Sequence, residues 1–408
     1  MTTNETEGIA HAERGRAFET AGHYARLRAE CPMHHEADHD PPFYVLSRFD
    51  DVLEALKDPA QWRNHRGPGV FHQDQGVLGS ADDPDHARHR RVLLPAFRPR
   101  QIRSLEERLV ALTDELIDAF IDEGSCEFVE AFAAPLPALA IAELLGVPGE
   151  DRDEFGRWST LAVAALTGGD VDEYHRARGV LEDSIEAGIN ERLRLLDEAS
   201  PDGSLQADDV VGSVLPDDVL ARLAVALRNG TLDLAEARYL GYQLLVAGHE
   251  TTTSLLGLLL YRLLERPALL ERLRTDPSLI PQAIEEGLRF DAPVAGLFRT
   301  NDRAAEVHGH ALDPDTKVQL LFGAANRDES AFERPDEFDI ERDHRELSRH
   351  VAFGWGVHLC IGAPLARLET RIAFERLLAR LPGLALDGEP VRNDSFVLHG
   401  LTRLPIRW

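Results

Sequence analysis

The sequence FGWGVHLCIG, at residues 353–362, holds the most informative residues of the chain. Three glycines within nine residues permit positive φ angles and let the backbone approach a partner closely. Cys360 stands just ahead of a helical pattern at residues 363–380. Near a helix N-terminus the helix dipole and the free N–H groups favour thiolate over thiol. Such a thiolate is either a nucleophile or a metal ligand.

Two kinds of chemistry are open to Cys360 on these grounds. A nucleophile needs a nearby base, and His358 is two residues away. A ligand needs a metal that one cysteine satisfies, for which haem iron is the obvious case. Cys31 and Cys126 lack the glycine-rich setting and are interpreted as buried structural cysteines. Three scattered cysteines fit neither a disulfide framework nor a zinc site.

The segment resembles the haem-binding signature of the cytochrome P-450 superfamily, F-G-x-G-x-H-x-C-x-G, at every fixed position. The resemblance implies that the cofactor is haem b and that Cys360 is the proximal thiolate ligand of its iron. It further implies that His358 hydrogen-bonds a haem propionate. The other cofactor-binding positions of the signature are Phe353, Gly354 and Gly362.

The resemblance implies the cytochrome P-450 fold, which is mainly α with a minor β portion. Haem is then expected between the long central helix and the cysteine loop, in a single domain over residues 1–408. Apolar spacing independently predicts helices, strands and one surface loop. The helices are expected at residues 103–120, 137–145, 154–165, 174–195, 233–266 and 281–290, the strands at 42–46, 316–323 and 396–407, and the loop at 202–216.

The central helix carries the sequence AGHETT at residues 247–252. Gly248 costs about 1 kcal/mol in a helix interior, so we expect its missing side chain to leave space for a small molecule. The Thr251 hydroxyl can bond the carbonyl four residues earlier. The stretch resembles the family's A/G-G-x-D/E-T element. By that resemblance Glu250 and Thr251 are the catalytic acid and alcohol that deliver protons, while Ala247 and Gly248 contact haem.

Glu286 and Arg289 share one face of a predicted helix, because they are three residues apart. The pair resembles the family's E-x-x-R element, joined by Arg342 after the P-x-x-F sequence at residues 335–338. An arginine fork between a carboxylate and backbone carbonyls is a structural clamp. We therefore assign these three residues to folding and haem retention, not to chemistry.

Further cationic residues match positions where the family binds the haem propionates. The sequence DPDHARHR, at residues 83–90, resembles D-P-x-H-x-x-x-R and places His86 and Arg90 one helical turn apart. Arg299 resembles the arginine that approaches haem from the β portion. Cationic donors suit two carboxylates that would otherwise be buried unpaired.

The substrate pocket implied by the resemblance is apolar. Ala295 and Gly296 are expected to leave room for a small apolar organic substrate, such as a terpenoid, a steroid or an aromatic compound. His249 either reaches this pocket or hydrogen-bonds a backbone carbonyl. The expected pocket residues are Phe71, Val246, Ala247, Val294, Ala295, Leu297, Val397 and Leu398.

These parts imply a haem-thiolate monooxygenase, in which substrate, dioxygen, two electrons and two protons give hydroxylated product and water. A haem-thiolate peroxygenase and a non-catalytic haem sensor or binding protein remain as alternatives, although neither needs the Glu250–Thr251 pair. A cysteine hydrolase built on Cys360 and His358 would lack haem. The resemblance loosens at residues 312–317, LDPDTK, where Asp315 replaces the usual glycine of a turn.

The charge of the chain limits its partners. With 71 acidic and 44 basic residues, the net charge is −27, which argues against binding to nucleic acid or to an anionic membrane. All the basic residues except Lys57 and Lys317 are arginine. The polar N-terminus and the absence of a long apolar run predict a cytoplasmic protein, which we expect to be a monomer.

The sequence contains no flavin or nicotinamide fingerprint, so electrons are expected from a separate ferredoxin, of the 2Fe–2S or a similar type, with its reductase. Residues 86–103 contain six arginines and no acidic residue. A positive surface on an acidic protein suits an acidic ferredoxin. The arginines predicted to form this redox-partner surface include Arg88, Arg91, Arg98 and Arg100.

Overall fold

The protein is described by a computed structural model, which covers residues 20–72, 76–148, 156–159, 161, 171–199, 210–393 and 395–408. The described residues divide into two compact units, and each unit is treated separately below. The single domain expected over residues 1–408 stays a prediction. Unit 1 takes in the described parts of Met1–Asp82, Ser254–Ala363 and Pro382–Arg407, and unit 2 those of Asp83–Thr253 and Pro364–Leu381 with Trp408.

Helices dominate the described chain, as the sequence predicts. Their bounds are α1 Thr20–Glu30, α2 Phe49–Lys57, α3 Asp85–Leu93, α4 Pro99–Ser104, α5 Glu106–Asp118, α6 Pro135–Leu145, α7 Val171–Ala199, α8 Val219–Arg228, α9 Leu234–Leu264, α10 Pro267–Thr275, α11 Ile280–Phe290, α12 Phe322–Ala325, α13 His344–Leu347 and α14 Ala363–Arg380.

The long helix α9 confirms the central helix predicted over residues 233–266. Its second half is buried at every position from residue 252 to residue 264, which explains why that stretch is apolar almost all round. The helix predicted at residues 363–380 is also confirmed, as α14. Both helices matter for the site, because one carries AGHETT and the other begins directly after the cysteine loop.

The β structure is minor and lies mostly in unit 1. A five-stranded sheet has the order β1-β2-β8-β5-β3, in which β2 and β8 are parallel and the other neighbours antiparallel. The strands are β1 Met33–Glu36, β2 Phe43–Leu46, β3 Trp62–Arg63, β4 Ser125–Glu127, β5 Leu297–Asn301, β6 Ala305–Val307, β7 His310–Leu312, β8 Lys317–Leu320, β9 Ala385–Leu386, β10 Val391–Arg392, β11 Leu401–Arg403 and β12 Pro405–Arg407.

Two strand predictions were too long. The strand expected at residues 316–323 ends at Leu320, because the chain turns into α12 two residues later. The strand expected at residues 396–407 is divided into β11, which pairs with β10, and β12, which pairs with β9. Pro405 begins β12, and a proline has no N–H to continue a ladder.

Two other expectations fall partly outside the described residues. Of the helix predicted at residues 154–165, residues 156–159 and 161 are described and helical. Of the loop predicted at residues 202–216, residues 202–209 lie outside the description, and the remainder forms a tight turn closed by Leu215 N–H donating to Val210 O (2.9 Å). In the described part of the chain, no helix is long and apolar enough to cross a bilayer.

Candidate active site

The cysteine loop of unit 1 has the backbone that its glycines predict. Gly354 and Gly356 have φ angles of +69° and +70°, which side-chain-bearing residues rarely adopt. The loop is closed by Cys360 N–H donating to Phe353 O (3.0 Å), and Gly354 N–H donates to Val351 O (2.8 Å). This folding leaves Cys360 exposed, three residues before α14 begins.

The loop presents apolar side chains together with the thiol. Trp355, Val357 and Leu359 are all exposed large hydrophobic residues, while His358 is half-buried and Gly362 precedes α14. Isolated exposed hydrophobic residues are ordinary, but three in one short loop indicate a surface that receives an apolar partner.

The other two cysteines, expected to be buried, are only partly buried. Burial raises the pKa of the Cys31 thiol, whose Sγ contacts Met33 O at 3.2 Å. Burial, aided by the charge of Glu127, raises the pKa of Cys126 to about 12. Both groups are therefore thiols near neutral pH, unsuited to act as ligands or nucleophiles.

The three residues of the expected clamp meet in the core of unit 1. Glu286 and Arg289 are 0% exposed. Arg289 Nε and Nη2 donate to the two oxygens of Glu286 at 2.7 and 2.8 Å, and Arg342 Nε donates to Glu286 Oε1 at 3.2 Å. The Asp339 amide also donates to Glu286 Oε1 (2.8 Å), so one carboxylate gathers two guanidinium groups and a backbone amide.

The clamp is linked to the cysteine loop through Asn326. Arg289 Nη1 donates to the Asn326 carbonyl at 3.0 Å, and the side-chain oxygen of this buried asparagine accepts from Val351 N–H at 2.7 Å. Val351 in turn accepts from Gly354, at the start of the loop. The carboxylate of Glu286 thereby supports the backbone that carries Cys360.

Arg299 is a buried cation without a carboxylate partner among the described residues. It is 6% exposed, and its hydrogen bond goes to the carbonyl of the preceding residue, Phe298, at 3.0 Å. Burial lowers its pKa to about 10, against an opposing effect of the Asp82 charge. Such a group is costly to bury unless an anion compensates it.

In unit 2, α3 places His86 and Arg90 one turn apart, as predicted. The structure corrects the assignment of Arg88 to a free positive surface. Its guanidinium binds both oxygens of Glu236, donates to Asp85 (2.8 Å), and also contacts the carbonyl of Thr231 (2.8 Å). These two carboxylates offset its charge.

The remaining arginines of that surface keep their charge available. Arg91, Arg98 and Arg100 are exposed and form no ion pair with any residue that the structure describes. Leu94, between them in sequence, is 42% exposed. We call Arg91, Arg98 and Arg100 the arginine surface.

The acid–alcohol pair lies on α9, within unit 2. Thr251 Oγ1 donates to Ala247 O at 2.7 Å, the bond expected from the sequence. Burial raises the pKa of Glu250, which favours the protonated carboxyl form that a proton-delivering role needs. Ala247 is exposed beside them, and Val246 is partly exposed.

The space expected beside Gly248 stays a prediction. A Cβ at this position would lie 3.4 Å from Ile141 Cδ1 on α6, which is an ordinary van der Waals contact, so the glycine faces a neighbouring helix and a methyl group would fit there. His249 is satisfied in the core: its Nδ1 is 2.6 Å from Ser159 Oγ, and its ring also binds the Ala134 carbonyl. Burial lowers its pKa to about 4, so the imidazole is neutral.

The predicted pocket residues of unit 1 are held close to one another. Val294 forms a bridge with Leu398, and Ala295 N–H donates to Val397 O (2.8 Å). The expectation that Gly296 leaves room was wrong, because a Cβ there would lie 2.4 Å from the carbonyl oxygen of Leu320.

The other two pocket residues of unit 1 differ in exposure. Leu297 is partly exposed, while Phe71 is 65% exposed. Phe71 is therefore free to contact another molecule.

Sequence reasoning missed a second buried ionic centre in unit 1. Burial alone would raise the pKa of Asp291, but Arg262, Arg392 and Arg327 hold it well below the usual range. Arg262 binds both oxygens of this carboxylate. No local spacing signals this group, because Arg262 on α9 and Asp291, directly after the end of α11, lie 29 residues apart.

Haem fits the residues of unit 1. The exposed Cys360 can supply the single thiolate, and the apolar side chains of its loop suit a flat apolar macrocycle. Arg299 can compensate a propionate, which resolves the cost of an otherwise uncompensated buried cation. Within the described ranges no group of three or more His, Cys, Asp or Glu side chains could hold a metal ion.

Comparison with known proteins agrees with these features. The family model of cytochrome P-450 matches residues 161–393. Cytochrome P-450 107B1 of Saccharopolyspora erythraea is 34% identical, over 100% of this chain and 99% of that protein. The vitamin D(3) 25-hydroxylase of Pseudonocardia autotrophica is 35% identical, over 94% of this chain and 92% of that protein.

Solved structures show the same architecture. Cytochrome P-450 PksS of Bacillus subtilis superimposes with a TM-score of 0.82 at 31% identity, covering 97% of this chain and 98% of that one. CYP109E1 of Bacillus megaterium, in complex with corticosterone, gives a TM-score of 0.81 at 29% identity, covering 97% and 99%.

Proposed function

Because this chain belongs to the cytochrome P-450 family, and is therefore a haem-thiolate monooxygenase acting on an organic substrate with dioxygen, we propose that it hydroxylates a small apolar molecule with electrons from a ferredoxin. The observation that carries this proposal is the exposed Cys360, held in a closed glycine loop that is braced by the Glu286 clamp. The ferredoxin is of the 2Fe–2S type and is served by a separate reductase.

We propose the substrate class from the predicted pocket residues of unit 1. Val294, Leu297, Val397 and Leu398 are apolar and partly exposed, and no charged group is among them. Apolar pockets with few polar groups bind apolar ligands. Among the relatives, one hydroxylates vitamin D(3) and another binds corticosterone, so a steroid-like or terpenoid molecule is the substrate class we propose.

Haem, when bound, supplies the activation of dioxygen and the oxidation itself. The chain's residues have separate tasks. Cys360 holds the iron. The propionates are held by Arg299, His86, Arg90 and His358. Glu250 holds a proton, and Thr251, whose hydroxyl is anchored on Ala247 O at 2.7 Å, orients that proton or a water. Neutral His249 lies in the core and takes no proton near pH 7.

The basic test of this proposal is optical. The reduced protein under carbon monoxide should show the strongly red-shifted Soret band of a thiolate-ligated haem. A spin-state titration with steroids, terpenoids and aromatic compounds then identifies the substrate class. No Soret band would refute haem-thiolate chemistry, and equal turnover with hydrogen peroxide alone would favour a peroxygenase.

Thr251→Ala should separate electron consumption from product formation. The variant loses the hydroxyl held on Ala247 O, so we expect product per NAD(P)H to fall at least about tenfold, with peroxide formed in its place. Haem content and substrate affinity should not change. Product and peroxide are measured per NAD(P)H in the reconstituted system.

Thr253→Ala is the matched control for that variant. Thr253 lies on the same helix, and its Oγ1 makes the same kind of bond, to His249 O at 2.9 Å. It is expected to keep normal coupling. Equal coupling in the Thr251 and Thr253 variants would contradict the role given to Thr251.

The arginine surface should control the reaction with the ferredoxin. Replacing Arg91, Arg98 and Arg100 together by glutamine should slow the first electron transfer about tenfold at low ionic strength, because steering of an acidic partner needs local positive charge. The salt dependence of the rate should flatten. The measurement is stopped-flow reduction at several salt concentrations.

Arg194→Gln provides a control, because Arg194 is an exposed arginine of α7 whose charge is already offset by Glu191 and Glu198. It should react at the rate of the original protein. An unchanged rate in the triple variant would refute this docking surface.

The proposal also includes a monomer located in the cytoplasm, where reduced ferredoxin is available. Sedimentation tests the oligomeric state, and cell fractionation tests the location.

A further inference from the structure

Residues 64–72 of unit 1 follow strand β3 and include the exposed Phe71. Hydrogen bonds from other parts of unit 1 hold this stretch at its start and at Pro68. At the start, Asp82 accepts from the Asn64 and His65 amides at 2.9 and 3.0 Å and from Arg63 Nε at 3.1 Å. Further along, Phe298 N–H of strand β5 donates to Pro68 O (2.9 Å). We call residues 64–72 the connecting segment.

Lys317 holds the middle of the connecting segment. Its ammonium donates to the carbonyls of Arg66 and Gly67 at 2.9 and 2.8 Å, and the residue is only 4% exposed. Gly67 has a φ of +81°, so the segment turns sharply where the ammonium binds it. No carboxylate of the described residues pairs with Lys317, and the nearby charges are those of Arg299 and Arg66.

Burying an ammonium group without a carboxylate partner costs free energy. The two hydrogen bonds to the connecting segment give a reason for a lysine at this position. Burial and the two cationic neighbours lower the pKa of Lys317 to about 8. A compact ammonium can donate to two carbonyls of adjacent residues at once, whereas a planar guanidinium spreads its donors over a wider fork. This accounts for a lysine in a chain whose basic residues are otherwise arginine, apart from Lys57.

Asp315 binds the same segment from the turn between β7 and β8. Its φ is +65°, in the left-handed region that aspartate and asparagine tolerate better than most residues with a side chain. The carboxylate lies 3.7 Å from Arg66 Nε and 4.0 Å from His65 Nε2. The Asp315 carbonyl hydrogen-bonds the His72 ring, so one residue contacts the segment at both ends.

The far end of the connecting segment packs on residues of the predicted pocket. Val70 is buried in one cluster with Phe43 and Phe298, and Phe396 and Val397 pack against that cluster. Val397 is also the residue whose carbonyl binds Ala295. The position of Phe71 therefore depends on a segment that is fixed between the sheet and the pocket residues.

We propose that Asp315 and Lys317 are positioning residues that clamp the connecting segment, and that this clamp sets the place of Phe71 and thereby which bulky apolar molecules the enzyme accepts. Neither residue touches the substrate. The inference deepens the proposed function and rests on it only for the ligand measurements. An aspartate at position 315, where the resembling family has glycine, is explained by the contact of its carboxylate with the Arg66 guanidinium.

Hydrogen exchange tests the clamp without reference to haem chemistry. Lys317→Met removes both hydrogen bonds of the ammonium and keeps a side chain of similar volume. Asp315→Asn removes the carboxylate charge and keeps a residue that tolerates positive φ. We expect exchange at the amides of Asn64, His65 and Gly67 to speed up about tenfold in Lys317→Met and about threefold in Asp315→Asn. Exchange elsewhere in unit 1 should stay the same.

Each variant has a matched control. Asp313→Asn makes the same change in the same exposed turn, where the side chain contacts no part of the connecting segment, and Lys57→Met removes the other, exposed lysine. Both controls should exchange like the original protein. Unchanged exchange in Asp315→Asn and Lys317→Met, or an equal change in the controls, overturns the clamp. If Lys317→Met does not fold, Asp315→Asn still decides the matter.

Azole binding then tests the effect on ligand size. Imidazole and the bulky clotrimazole are titrated into the haem-loaded protein and followed by the Soret shift. The clotrimazole affinity should change about three- to tenfold in both variants, and the imidazole affinity should not. Faster exchange with unchanged clotrimazole affinity overturns the specificity role. A protein without the red-shifted Soret band instead refutes the proposed function, and the exchange result still judges the clamp.

Discussion

Cys360→Ser should abolish the red-shifted Soret band of the reduced, carbon monoxide-bound protein and lower turnover about 10³-fold or more, which corresponds to about 4 kcal/mol of barrier. Serine has nearly the same shape, so the loop closed by the residue 360 amide on Phe353 O should persist. An alcohol is not ionised near neutral pH and supplies no thiolate to the iron. Spectra, haem content and turnover measure the effect.

Cys126→Ser is the comparison that makes the first result specific. Its thiol has a pKa raised to about 12 by burial, so it takes no part in iron binding and its replacement should leave spectrum and turnover unchanged. A red-shifted band that survives in Cys360→Ser, or one that is lost in Cys126→Ser, would show that the ligand has been misassigned.

Glu286→Ala should lower the free energy of unfolding by about 3–5 kcal/mol, because it leaves two buried guanidinium groups without their shared carboxylate. Arg289 is fully buried and Arg342 nearly so, and neither can turn to water. The bond from Asp339 N–H to Glu286 is lost as well. Haem retention should fall with stability, since the clamp supports the cysteine loop through Asn326. Urea unfolding and haem release measure both effects.

Glu271→Ala is the matched control for the clamp. Glu271 pairs with Arg274 at the same three-residue spacing on α10, but it is largely exposed. Surface pairs of this kind are worth about 0.5 kcal/mol or less. If the two glutamate variants lost the same stability, the buried clamp would have no special role in folding.

Local sequence was sufficient for the parts of this protein that depend on neighbouring residues. Gly354 and Gly356 do take positive φ angles, and Thr251 does bond the carbonyl four residues earlier. Helix α14 has the predicted bounds. In each case the interacting groups lie within a few residues, so chain geometry alone brings them together.

Expectations failed where the neighbour comes from elsewhere in the chain. Arg88 meets Glu236, 148 residues away, which removes it from the positive surface. Gly296 faces the Leu320 carbonyl, so this glycine does not provide the space that was expected. No periodicity reports the identity of such partners, because they are brought together only by packing.

The sequence by itself indicated the cofactor and the class of chemistry through its resemblance to the cytochrome P-450 signatures, because the residues that carry those signatures occupy one loop and one helical turn whose spacing is set by the backbone. Only the tertiary structure decided which charges remain available and what holds the pocket. It left Arg91 exposed while neutralising Arg88, and it brought Lys317 to the carbonyls of residues some 250 positions earlier. The energy of an ion pair or a buried hydrogen bond depends on distance and burial in space, and sequence separation specifies neither.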